Sequence, residues 1–141
     1  MSGEPVFATT PIADPAYQAT ISEARASLHE FRDLCRLADA SRAERMIKKE
    51  VRQGGHRAFL WFADARIAGN GFEAEVFEAP PEFTDLQVGT RFLIAENEVL
   101  DWMVNDAGDL YGGFSLRYQR AHLPAGKHEW FDQHIGVVRY C

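Results

Sequence analysis

Four groups of residues in this chain are of types that do chemistry when a fold brings them together. The first is Asp101-Trp102 with Arg117 further on. On a strand, neighbouring side chains point to opposite faces, so Asp101 and Trp102 diverge. An Asp101–Arg117 pair at the mouth of a pocket, with Trp102 as an aromatic wall, would make a clamp, because the guanidinium fork matches both carboxylate oxygens. A structural arrangement competes with that reading: an internal ion pair, or Asp101 accepting backbone N–H groups in a turn, with Trp102 in the core. The second group, His128-Glu129-Trp130-Phe131-Asp132, falls short of a zinc-protease helix, which needs a second His where Asp132 stands. His128 and His134 would face opposite sides of a helix, so no metal site is expected. The third is Cys35 and Cys141, one in an apolar helical stripe and one near the chain end, read as a buried thiol and a terminal thiol. The fourth, Gly108, Gly112 and Gly113, lacks the strand-to-helix spacing of a dinucleotide cradle and is read as a turn with close backbone approach. No Gly-x-Ser-x-Gly elbow is present and no cofactor is expected.

Charge is unevenly distributed. The net charge of −6 over 141 residues argues against a protein whose affinity rests on neutralising phosphates. Residues 58–110 carry a net −9 and residues 41–57 a net +4. If Glu73, Glu75, Glu96 and Glu98 share one outer surface, the sheet presents an acidic face that steers a basic partner and repels nucleic acid. A solvated face that only keeps the protein soluble is the alternative. No stretch is apolar enough to span a membrane and no signal peptide is evident, so a cytoplasmic location is expected.

The elements that must position these groups follow from periodicity. Residues 1–13 read as a flexible arm and 14–141 as a single domain. Asp14-Pro15 is a helix start, and Tyr17, Ile21, Ala24, Leu28, Phe31 and Cys35 fall on one helical face. A capping-box pattern at Ser27-x-x-Glu30 allows that stripe to be two short helices meeting near Ala26. Strands are expected over Met46–Arg52, Arg57–Asp64, Phe72–Val76, Thr90–Ala95 and Val99–Val104. Ile47 and Val51 take one face of the first strand, with Lys48, Glu50 and Arg52 on the other. Phe114–Ala121 reads as a final mixed segment and Lys127–His134 as a short helix. Helices followed by a strand meander give an α+β fold: an N-terminal helix or helix pair on a mostly antiparallel sheet of about five strands, with a short C-terminal helix.

Glu98-Val99-Leu100-Asp101-Trp102-Met103, followed by Gly112-Gly113-Phe114-Ser115-Leu116-Arg117, resembles the bacterial family known as domain of unknown function 2314. In that family a hydrophobic-Asp-Trp-Met element precedes a Gly-Gly-aromatic-Thr-x-Arg element. Phe59-Leu60-Trp61-Phe62 is similar to its Trp-bearing strand, and Gly69 to Phe72 to its hairpin. The resemblance covers roughly residues 20–123, with Ser115 where Thr is usual and the tail from Pro124 outside the pattern. It implies a small bacterial cytoplasmic domain and transfers no catalytic residue.

Three expectations follow. The first is a non-catalytic protein-binding module, most concretely an immunity-type inhibitor whose acidic sheet covers a basic surface on a partner such as a toxin. It would be anchored by exposed aromatics such as Phe83, Tyr111, Trp130 and Phe131. The second is a small-molecule binder or enzyme with a helix–sheet pocket around Asp101, Trp102 and Arg117, also lined by Trp61 and Tyr118. The third is a scaffold acting only through oligomerisation.

Overall fold

A computed structural model describes residues 13–37 and 43–141; apart from residue 13, the expected N-terminal arm lies outside the described residues. α1 (Pro15–Ala26) starts as its sequence dictates, with the Asp14 carboxylate accepting from Ala16 N at 2.9 Å and Pro15 in the first turn. Only Ser27 separates it from α2 (Leu28–Leu37). The Ser27 hydroxyl does not cap α2. It donates back to Glu23 O at 2.7 Å and accepts from Trp102 Nε1 at 3.0 Å, so a tertiary contact displaces the capping box.

The strands are β1 (Glu44–Gln53), β2 (His56–Ala68), β3 (Gly71–Val76), β4 (Arg91–Ile94), β5 (Asp101–Asp106), β6 (Asp109–Gly112) and β7 (Arg139–Tyr140). They form one sheet in the order β4-β3-β2-β1-β5-β6-β7, antiparallel except for β6–β7. The α+β architecture is as expected; among the described residues the sheet has seven strands rather than about five. Phe114–Ala121 is a helix, α3, because Gly112 and Gly113 (φ 71° and 64°) turn the chain out of the sheet immediately after β6. α4 spans His128–Ile135.

Register sorts the side chains onto two faces. The front row across the sheet centre is Phe62, Ile47 and Trp102; the back row is Trp61, Lys48 and Asp101. The front packs with Ala24, Leu28 and Phe31 of α1 and α2, extended by Phe72, Ala74 and Val76 of β3. The back builds a smaller core from Leu110, Leu116, Phe131 and Val137, joined by Trp61 and Met103. Two expected interface aromatics, Phe83 and Phe131, are therefore buried, Tyr111 is half-buried, and Trp130 is exposed. Fully burying an aromatic ring is worth about 1.5–3 kcal/mol, which outweighs leaving it in solvent for a partner. Lys48 also departs from its expected solvent face: its side chain is buried.

α3 and α4 are tied by Arg120, which grips Asp132 through Nε at 2.7 Å and Nη2 at 2.9 Å, while Tyr140 Oη of β7 donates to Asp132 at 2.5 Å. The Arg120 and Tyr140 hydrogen bonds hold the Asp132 carboxyl below its ordinary 3.8. A depressed folded-state pKa contributes stability that is present above 3.8 and lost as pH falls toward the folded value. Urea midpoints measured from pH 6 down to about pH 2.5 are expected to fall more steeply in the wild type than in Asp132→Asn; parallel curves would show that this cluster does not couple to folding. No described helix is long and apolar enough to cross a membrane.

Candidate functional site

Asp101 sits at the start of β5 with no solvent exposure, and its carboxylate accepts four hydrogen bonds. Oδ1 takes Trp102 N at 2.8 Å and Phe114 N at 3.1 Å; Oδ2 takes Ser115 N at 2.8 Å and Ser115 Oγ at 2.6 Å. The N-cap of α3 is Gly113, which has no side chain to satisfy the helix's first N–H groups, so Asp101 caps it from another strand. The Ser115 hydroxyl also accepts from Lys48 Nζ at 3.3 Å, and Lys48 donates to Tyr17 Oη at 3.3 Å. Burial pushes the Asp101 carboxyl up, opposed by Ser115 and Lys48, and pushes the Lys48 ammonium down, opposed by Asp101. The same burial, helped by Asp101, pushes the Tyr17 hydroxyl up to about 12.

A Ser–Lys–carboxylate grouping is the raw material of nucleophilic catalysis, but here the proton runs the other way. Ser115 commits its hydrogen to Asp101, which leaves Lys48 donating to the serine oxygen rather than removing its proton. With Ser115 only 2% exposed, no substrate reaches it. The cluster is a structural joint that locks β1, β5, α1 and α3 together.

The expected Asp101–Arg117 pair does not form. Asp101's oxygens are filled by their four donors, and Arg117 turns the other way, from Nε to Gly112 O at 2.8 Å and from Nη2 to Leu110 O at 3.2 Å and Cys141 O at 2.8 Å. Arg117 thus holds the turn and the end of the described chain. Trp102 is core on the front face. It stacks on Phe31 at 5.1 Å and donates Nε1 to Ala24 O at 3.2 Å, meeting the far end of a helix whose Tyr17 reaches the back. A Cβ at Gly112 would stand 2.5 Å from Trp102 O, so only glycine allows β5 and β6 this close.

The four surface acids do not share one surface. Glu73 and Glu75 alternate with buried Phe72, Ala74 and Val76 and so face the back. There Arg91 meets Glu73 at 2.9 Å, Glu75 at 3.2 Å and Asp64 at 3.1 Å. Glu96 and Glu98 lie on a 3-10 turn beside the front helices, paired with Arg32 at 2.7 Å and Lys49 at 3.9 Å. The net −9 along the sequence is thus partly balanced in space by basic residues from elsewhere.

A groove opens on the front between α2 and the β5–β6–α3 joint, with a cavity volume of about 420 Å³. Half-buried Tyr111 and Phe114 line it with aromatic surface over the buried Trp102, Glu30 and Asp33 of α2 form an acidic wall, and Arg117 and Cys141 close it. Glu30 and Asp33 are exposed, and Asp33 also meets Arg36 at 3.2 Å. The groove gathers two predicted site residues, Trp102 and Arg117, and leaves out the third, Asp101. Sequence reading missed Lys48, which looks like any surface lysine until pairing sets it beside Asp101, and missed the acids of α2 as a wall, since Glu30 reads only as part of a capping pattern and Asp33 as a solvated acid. Among the described residues no group of three or more His, Cys, Asp or Glu is placed to hold a metal ion. Cys35 is half-buried, its thiol pushed up to about 11 by burial, and Cys141 is exposed; neither forms a disulfide.

Residues 14–138 match the family described as uncharacterized protein conserved in bacteria, DUF2314. The chain belongs to this family. The match runs past residue 123, so most of the tail, α4 included, is part of the DUF2314 pattern rather than an addition to it. The chain is also 22% identical over 101 residues to the "Uncharacterized protein YegJ" of Escherichia coli (strain K12), covering 72% of this chain and 65% of that protein's length. No solved structure matches.

Proposed function

We propose that this DUF2314 chain is a non-catalytic protein-binding domain that receives a basic segment of a partner in the front groove, most concretely as an inhibitor of immunity type acting on a bacterial toxin or effector. The observation that carries this is the groove's composition: aromatic lining beside two exposed α2 acids suits a Lys or Arg side chain, whose stem packs on rings while its charge meets carboxylates. The expected acidic patch is thereby moved from the sheet, where Glu73 and Glu75 are engaged by Arg91, to α2. The buried Ser115–Asp101–Lys48 cluster argues against an enzyme, because its groups are spent on each other.

Calorimetric titration with a short Arg- and Lys-containing peptide is expected to show saturable, salt-sensitive binding. Glu30→Lys with Asp33→Lys should weaken it at least tenfold, about 1.4 kcal/mol. Binding that survives the charge reversal, or no binding by the wild type, overturns the reading. A second reading, a small-molecule site in the same groove, is favoured by its volume, which falls within the roughly 300–1,000 Å³ of ligand pockets. A ligand that binds equally to the reversed variant would support it.

A further inference from the structure

Among the described residues β4 is an edge strand of the sheet. Val76 N donates to Thr90 O at 2.8 Å, and Ala74 and Phe72 stand opposite Phe92 and Ile94. Because an antiparallel ladder alternates, residues 90, 92 and 94 aim their N–H and C=O groups at β3, while those of Arg91 and Leu93 aim outward. The side chains at this edge are apolar and accessible: Leu93 is 76% exposed and Phe92 38%. The opposite edge, β7, has only two residues.

We propose that β4 is a self-association surface, on which a second copy of this chain adds its own β4 antiparallel about a two-fold axis at Phe92, continuing the sheet across the dimer. Every centre on a residue of β4 preserves the alternation of faces, and one on Ile94 meets the same obstacle at Ala95 as one on Leu93. Centred on Arg91, the strands set two arginines directly opposite, which is unfavourable. Centred on Leu93, the ladder needs Ala95, whose N–H is already given to Glu98 Oε1 at 2.8 Å. Centred on Phe92, Arg91 and Leu93 of each copy meet Leu93 and Arg91 of the other, and their outward groups exchange four N–H···O bonds while the two Phe92 rings face across the axis. A charge on an edge strand ordinarily blocks such pairing. Arg91 does not, because its guanidinium is folded back onto Asp64, Glu73 and Glu75.

Sedimentation of the full chain should show its mass rising with concentration from 15.9 kDa toward twice that value. Leu93→Pro removes an outward N–H for which no partner is found among the described residues, and should stay monomeric; edge strands accommodate proline there. Register is tested with Cys35→Ala and Cys141→Ser as background. Phe92→Cys should cross-link under mild oxidation, since the facing Cα atoms of a non-hydrogen-bonded pair lie about 4.5 Å apart. Leu93→Cys should not, its Cα atoms lying beyond the roughly 7 Å limit of a disulfide. A wild type that stays monomeric at every concentration, a dimer that persists in Leu93→Pro, or equal cross-linking at both positions overturns the proposal.

Discussion

Asp101→Asn is expected to lower the unfolding free energy by about 3–5 kcal/mol, the range seen when one member of a buried charged pair is removed. The amide keeps the carboxylate's size but presents two donors where the protein supplies four, from Trp102 N, Phe114 N, Ser115 N and Ser115 Oγ. It also strands the buried Lys48 ammonium without a countercharge. Lys48→Met should cost markedly less, because Asp101 retains those four donors and the methionine stem fills the space between Tyr17 and Trp61, which flank the ammonium at 5.6 and 5.8 Å. In the double variant the neutral pair should recover part of the Asp101→Asn loss, a coupling read from urea midpoints of the four proteins. An Asp101→Asn effect no larger than that of the exposed Asp106→Asn would show that the joint does not hold the fold.

Gly112→Ala should be nearly as damaging, at about 3–5 kcal/mol, by a different route. The methyl would be forced into the left-handed region, at φ 71°, and would meet Trp102 O at 2.5 Å and two Trp102 ring carbons at 2.6 Å. Neither neighbour can yield, since Trp102 is pinned between Phe31 and Phe114. Gly54→Ala isolates the backbone contribution: φ is 61°, nothing lies within 4 Å, and a loss of about 1–2 kcal/mol is expected. Equal melting temperatures for the two variants would mean that the close approach of β5 and β6 is not what glycine serves here.

Elements whose order is set by their own side chains were legible from sequence. The helical stripe is buried at Tyr17, Ala24, Leu28 and Phe31 and half-buried at Ile21 and Cys35, and the doubly apolar run from Arg57 to Asp64 lies within β2, inside the sheet. What escaped depends on distant residues. α3 reads as a mixed segment because its cap is a carboxylate on another strand and its own N-cap is glycine. Lys48 acquires its role only through the β1–β5 register, and Glu73 and Glu75 lose their apparent excess charge only once β4 brings Arg91 beside them. The Asp101-Trp102 and Gly112-Gly113-x-x-x-Arg117 elements were recognisable as a pattern. Their part in the groove was not, because the acids that complete it sit on α2, whose one sequence signal, the Ser27-x-x-Glu30 capping pattern, says nothing of a groove.

The position of β1 beside β5 has a kinetic consequence. β1 through β4 form one local meander and β5 through β7 with α3 and α4 another, so each can assemble from contacts close in sequence. The seam Lys48–Asp101, Ile47–Trp102 and Met46–Met103 must close a long intervening loop, and that entropy is spent before any of its contacts forms. Of the pairings in the described sheet this seam spans the greatest sequence separation, so it carries the largest loop-closure cost and is expected to form late. The joint buried at that seam registers the event, since Lys48 reaches Ser115 and Asp101 from β1 only once the seam is closed.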